Sequence, residues 1–181
     1  PGLPRARVVR RAFGHAPPRL IKALTTQAGK LWHTSNVFRI PGQDRVAELV
    51  KKLSFADTMF FTNSGVEAWE CGVKIIRRHF WAKGQPQKNR IIVCENLFHG
   101  RTIAAISASK TAKMTDGFGP LVDGFDQVPY DDIAALEKAI TPETAGICFE
   151  PIQGEGGIKP ASLEYLRAAR ALCDKHDLLL F

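Results

Sequence analysis

The sequence predicts an α/β fold built on a largely parallel sheet with flanking helices. Two observations carry that prediction. Short apolar runs of strand length alternate along the chain with stretches whose apolar residues recur at helical spacing. Turn-forming residues then follow the strand-like runs directly, in "TNSG", "ENLFHG" and "EPIQGEGG". Internal repeats and low-complexity tracts are absent from the sequence.

The elements follow in order. Pro18 to Lys30 reads as a helix, with Pro in the first turn and Leu20, Ile21, Leu24 and Ala28 at helical spacing. "LWHTSNVFRIPG" is irregular and ends in Pro41-Gly42. A second helix is expected from about Gln43 to Leu53, with Val46, Leu49, Val50 and Leu53 on one side. "TMFFT" reads as a short buried strand, and "VEAWECGVKIIRRHF" as a helix with Val66, Trp69, Val73, Ile76 and Phe80 facing inward. "RIIVCE" is a strand and "TIAAISAS" a short helix. After a Gly-rich loop, "DQVPY" is a strand and Asp131 to Ile140 a helix. "AGICFE" is a strand, Ser162 to His176 a helix with Leu163, Leu166, Ala169, Leu172 and Cys173 inward, and "LLLF" begins another strand. That last strand stops at Phe181 with no turn after it, so the sheet is expected to be incomplete at this end.

Composition narrows the function classes. The 181 residues are 45% hydrophobic and 24% charged, ordinary for a soluble domain with a real core. No apolar run approaches bilayer length, so no membrane role is expected. The first residue is Pro and no apolar signal core follows it, which reads as an excerpt or a processed chain. The net charge of +7 would suit nucleic acid, but it is concentrated at one end. Residues 1–30 hold seven Lys or Arg and no acid, while the rest of the chain holds eighteen of each sign. A neutral body without a basic patch interleaved with aromatics argues against nucleic-acid binding. Cys71, Cys94, Cys148 and Cys173 show no metal-ligand or C-x-x-C spacing and read as reduced core thiols of a cytoplasmic protein.

Ligands collect at the carboxyl ends of the strands in an open parallel sheet, so the residues after each strand are the candidates. Asn63-Ser64-Gly65-Val66 fits an anion cradle, because Gly65 permits a tight turn and the first helix amides favour negative charge. Ser64-x-x-Glu67 equally fits a helix-capping box. It is neither a P-loop nor G-x-G-x-x-G. In "NLFHGRT", Phe98 could stack on a flat ring and Arg101 could bind a carboxylate. The alternative is that Phe98 is core and Arg101 a surface ion pair. His99 lacks a visible partner for a role as base or ligand. In "EPIQGEGG", Glu150 closes an apolar strand and Glu155 sits among Gly154, Gly156 and Gly157, with a plain Gly-rich turn as the alternative. Together the three motifs describe a site for a flat, phosphorylated cofactor and an acidic substrate.

From about Phe13 to Phe181 the chain resembles the class III pyridoxal-phosphate aminotransferases, most nearly those acting on acetylornithine. The matching stretches are "FGHAPPRL", "AGKLWHTSN", "FFTNSGVEA", "NLFHGRT", "GFGPLVDGF" and "EPIQGEGG". The resemblance implies part of the three-layer, aspartate aminotransferase-like large domain. It implies pyridoxal 5'-phosphate as cofactor and transamination between N2-acetylornithine and 2-oxoglutarate in arginine biosynthesis. It also implies a homodimer. By position, Ser64, Gly65 and Val66 would bind the cofactor phosphate, Phe98 would stack on the pyridine ring and Arg101 would bind the substrate. Glu155 would help switch between the two substrates by pairing with an arginine from later in the chain. Glu150 would support the site, and Thr34-Ser35-Asn36 would lie near its mouth.

The organisation this implies is an atypical basic segment over 1–12, an N-terminal helix and mouth loop over 13–42, and a partial cofactor-binding domain over 43–181. Residues 1–12 do not look like the family, and Trp69 stands where the family often has a smaller residue, so packing is its expected role. The family's pyridine-nitrogen aspartate and Schiff-base lysine are expected beyond Phe181. None of the twelve lysines here sits in the lysine motif, so this chain alone is not expected to transaminate. Other ω-amino donors, namely ornithine, succinylornithine or 4-aminobutyrate, remain open, as does a non-catalytic phosphate-binding or interaction module.

Overall fold

Nine apolar residues shared by three consecutive sheet strands set the architecture, because each strand must be covered on both faces. A computed structural model describes residues 14–35 and 37–181, and the expected basic segment over 1–12 lies outside them. The chain divides into two units, between Phe61 and Thr62.

The first unit contains helices α1 (Pro18–Ala28) and α2 (Pro41–Leu53), each opening on a proline that needs no amide partner there. Both carry the expected apolar stripes. Neither buries a residue: Leu24 and Leu49 stay exposed. "TMFFT", expected as a buried strand, is not one. A strand exists through its neighbours' hydrogen bonds, and no described residue forms a ladder with this segment.

The second unit opens with α3 (Gly65–Ala82), which starts one residue earlier and ends two residues later than expected. Then come β1 (Arg90–Cys94), α4 (Ile103–Ser109), α5 (Ala112–Thr115), β2 (Phe125–Val128), α6 (Ile133–Ala139) and β3 (Thr144–Cys148). A small hairpin follows, β4 (Ile152–Gln153) with β5 (Lys159–Pro160), then α7 (Leu163–His176) and β6 (Leu179–Leu180). The main sheet has the order β2-β1-β3-β6, and every pairing is parallel. Each crossover carries a helix, as parallel neighbours require.

Alternate residues of the strands face opposite layers. Ile91 and Val93 join Trp69, Val73, Ile76 and Phe80 of α3 on one face. Ile92 and Cys94 join Leu136 of α6 and Tyr165, Ala169, Leu172 and Cys173 of α7 on the other. Helix, sheet and helix thus make three layers. The inward face of α3 is as expected, and Trp69 packs within it. On α7, Ala169, Leu172 and Cys173 are buried as expected, but Leu163 is exposed and Tyr165 is fully buried. Helical spacing allowed either choice, and the aromatic was taken because Phe149 and Tyr130 line the layer it enters. The Gly-rich segment after β3, expected as a loop, is partly the β4–β5 hairpin. A bidentate ion pair from Arg90 to Asp126, at 2.8 and 2.6 Å, ties the amino ends of β1 and β2.

Candidate functional site

Three connections leave the carboxyl side of the second unit, and three sets of bonds bring them together. The first is the start of α3. Ser64 is extended (φ −151°, ψ 162°), and its hydroxyl accepts the Glu67 amide at 3.3 Å. Glu67 returns its carboxylate to the amide of Asn63, at 2.6 Å, and not to that of Ser64. The capping box is therefore closed one residue upstream of the reciprocal pattern. Among the described residues, nothing accepts the amides of Gly65 and Val66. They sit at the positive end of an 18-residue helix, and a side chain built on Gly65 would meet open space.

The second connection joins β1 to α4. Leu97 turns into the core, 7% exposed, and its neighbour Phe98 turns out, 38% exposed. The reading of Phe98 as core is thereby overturned. Arg101 places its guanidinium 5.6 Å from the centre of the Phe98 ring. No carboxylate among the described residues forms an ion pair with Arg101. Between them, Gly100 has φ +117°, and a β-carbon there would stand 2.3 Å from Val66 Cγ2. Glycine at this position lets the Phe98 loop lie against the first turn of α3. The Thr102 hydroxyl caps α4 through the Ala105 amide and donates to Glu70 of α3, a second tie between the same two connections.

The third connection runs from β3 into the β4–β5 hairpin. Glu150 is half-buried; its Oε1 accepts the Phe98 amide at 2.9 Å and its Oε2 the Gly154 amide at 3.2 Å. Gln153 is buried and donates its side-chain amide to Glu95 O at 2.7 Å. Gly156 allows that close approach, since a β-carbon on it would stand 2.9 Å from Asn96 O. The Tyr130 hydroxyl donates to Glu150 O at 2.9 Å, with Pro151 O and Lys159 O each at 3.2 Å. Burial pushes the Tyr130 phenol above its usual range, so it stays a donor. Glu155 stands exposed beyond β4 and has no ionic partner among the described residues.

A buried support lies beneath. His99 stacks on Trp69 at 5.4 Å, with its Nε2 3.8 Å from Cys148 Sγ. Burial lowers the His99 imidazole below its ordinary value, which favours the neutral ring, with the charge of Glu150 opposing. Burial pushes the Cys148 thiol up to about 12, so it is no thiolate nucleophile. His99 thus belongs to packing.

Ser64, Gly65, Val66, Phe98, Arg101, Glu150 and Glu155 all belong to the second unit, and the bonds above connect the three segments that carry them. Ser35 belongs to the first unit, where its hydroxyl accepts the Val37 amide at 3.4 Å. Asn36 lies outside the described residues. Sequence reasoning missed Tyr130, Gln153, Thr102 and Glu70. Their partners are 20 to 58 residues distant, and nothing local signals such bonds. No group of three His, Cys, Asp or Glu among the described residues could hold a metal, and no helix there is long and apolar enough to cross a membrane.

A model of the family described as "Aminotransferase class-III" matches residues 8–181. The chain is 54% identical over 169 residues to the acetylornithine aminotransferase of Agrobacterium fabrum, covering 93% of this chain and 42% of that protein. It is 55% identical to the acetylornithine aminotransferase of Mesorhizobium japonicum over the same shares. The chain thus spans about two-fifths of the length of these curated relatives. Among solved structures, the ornithine aminotransferase of Toxoplasma gondii matches with a TM-score of 0.85 at 36% identity, over 92% of this chain and 40% of that one. The N-acetylornithine aminotransferase of Stenotrophomonas maltophilia matches with a TM-score of 0.74 at 40% identity, over 92% and 41%.

Proposed function

The chain belongs to the class III aminotransferases, and from that premise we propose that it is part of a pyridoxal 5'-phosphate enzyme moving the amino group of N2-acetylornithine to 2-oxoglutarate. The observation that carries this reading is an Arg101 and two helix amides without partners among the described residues, with an exposed Phe98 ring, on segments that touch where Gly100 meets Val66. The residues fit such a cofactor. The amides of Gly65 and Val66, with Ser64 beside them, are donors at a helix start that nothing among the described residues satisfies, which suits a phosphate. Space above Gly65 lets the anion approach.

Bound there, the cofactor supplies an electron sink for the carbon that loses its proton. The chain's own residues bind and orient. Phe98 offers a ring face against which a flat heterocycle stacks. Arg101 presents a planar fork of donors for a substrate carboxylate, and Phe98 holds that cation by its ring. Glu155 is the acid that competes with a carboxylate substrate for cationic partners. Glu150 holds two of the connections together, and by the resemblance alone Ser35 and Asn36 would support the site. By the resemblance, residues 13–42 would form a mouth segment and 43–181 part of the cofactor-binding domain, in a cytoplasmic homodimer serving arginine biosynthesis. None of the twelve lysines stands in the family's lysine motif, so these 181 residues by themselves are not expected to transaminate.

Ornithine itself is the second reading, favoured by the higher structural match to an ornithine aminotransferase. The test is glutamate formation by the full-length protein carrying these residues, with 2-oxoglutarate and either donor. Acetylornithine should be preferred. Replacing Arg101 by Ala should raise the KM for the amino donor about 10- to 100-fold, the worth of a hydrogen-bonded charge pair. No glutamate from either donor would remove the assignment.

A further inference from the structure

One carboxylate bridges the two connections that carry Phe98 and Glu155. Glu150 Oε1 accepts the amide of Phe98 at 2.9 Å, and Oε2 accepts the amide of Gly154, the residue before Glu155, at 3.2 Å. These segments share no sheet pairing, since the first leaves β1 for α4 and the second enters the separate β4–β5 hairpin. The bridge is anchored at its base, where the Tyr130 hydroxyl holds the Glu150 carbonyl at 2.9 Å. A parallel brace runs from the Gln153 side chain to Glu95 O at 2.7 Å.

We propose that Glu150 is a positioning residue that fixes the Phe98 ring and the Glu155 carboxylate relative to one another. The chemistry selects a carboxylate of this length. It offers two acceptor oxygens and no donor, so it can serve two backbone amides at once. Amide bonds to a charged acceptor are roughly twice as strong as neutral ones. Glutamine would turn an NH2 group toward one of the two amides. Aspartate would keep the charge and lose one methylene of reach. The reaction context rests on the function proposed above, whereas the bridge stands on this chain's own hydrogen bonds.

The test uses the full-length protein and its Glu150→Gln and Glu150→Asp variants. Hydrogen–deuterium exchange, read by mass spectrometry over the peptides holding Phe98 and Gly154, reports the bridge without reference to turnover. Both variants should exchange about tenfold faster in at least one of the two peptides, with the peptide of α7 unchanged. Both should also raise the KM for the amino donor more than they lower kcat, because Arg101 follows Phe98 on the displaced segment. Unchanged exchange in both peptides would overturn the bridge. A Glu150→Asp protein that matches the unsubstituted one while Glu150→Gln fails would assign the role to charge and overturn positioning. Faster exchange with unchanged KM and kcat would show that the fixed separation does not matter to the reaction. If the unsubstituted protein makes no glutamate, the proposed function fails, and the exchange result still decides the bridge.

Discussion

Leu97 and Phe98 are neighbours of similar hydrophobicity, and the strand end gives them opposite fates. Leu97 fills the layer under α3 while Phe98 is left facing outward beside Arg101. The choice is made by the chain's direction after Cys94, where Asn96 adopts φ 57° and reverses it. His99 then returns inward to stack on Trp69. This inward histidine makes stability depend on pH. Burial lowers its folded value below the ordinary 6.5 or so of an unfolded histidine. Between those two values the unfolded chain binds the extra proton, so stability falls as pH drops through about 6.5 and is fully present above it. Urea midpoints measured from pH 5 to 8 should show this slope. His99→Asn should flatten it, and an undiminished slope in that variant would place the proton elsewhere.

At the scale of elements, α3 shows how one sequence signal serves two ends. Ser64 and Glu67 cap the helix, yet Glu67 bonds Asn63, and the next amides of the turn are unclaimed among the described residues. Ser64→Ala should cost about 1 kcal/mol, as N-cap losses do. It should also weaken phosphate-dependent cofactor binding by the full-length protein. Thermal denaturation and cofactor titration check the two effects separately, and an unchanged melting temperature would sink the cap. The apolar spacing of α3 named its buried face correctly. For α7 the same reasoning misplaced Leu163 and overlooked Tyr165, because a helix with apolar residues around much of its girth does not announce its phase. "TMFFT" had the composition of a strand, but composition cannot supply a neighbour.

For the second unit as a whole, the sheet separates two apolar layers that meet only through the strands. Damage to one layer should therefore add to damage in the other. Ile76→Val on the buried face of α3 should cost about 0.5–1.5 kcal/mol and Leu136→Ala on that of α6 about 2–5 kcal/mol. The double variant should lose their sum to within about 0.5 kcal/mol by urea denaturation, and a larger departure would mean the layers are coupled. By itself the sequence determined the parallel α/β architecture, the inward face of α3, and three turn motifs, two of them at strand ends, that carry every candidate of the second unit. It could do so because period, turn chemistry and helix caps act over a few residues. The tertiary structure decided that Phe98 faces out, that Arg101 goes without an ionic partner among the described residues, and that Glu150, Gln153, Tyr130 and Gly100 bind the three connections into one edge. Those outcomes depend on backbone groups brought together from 20 to 58 residues apart, and distance along the chain hides them until the sheet has formed.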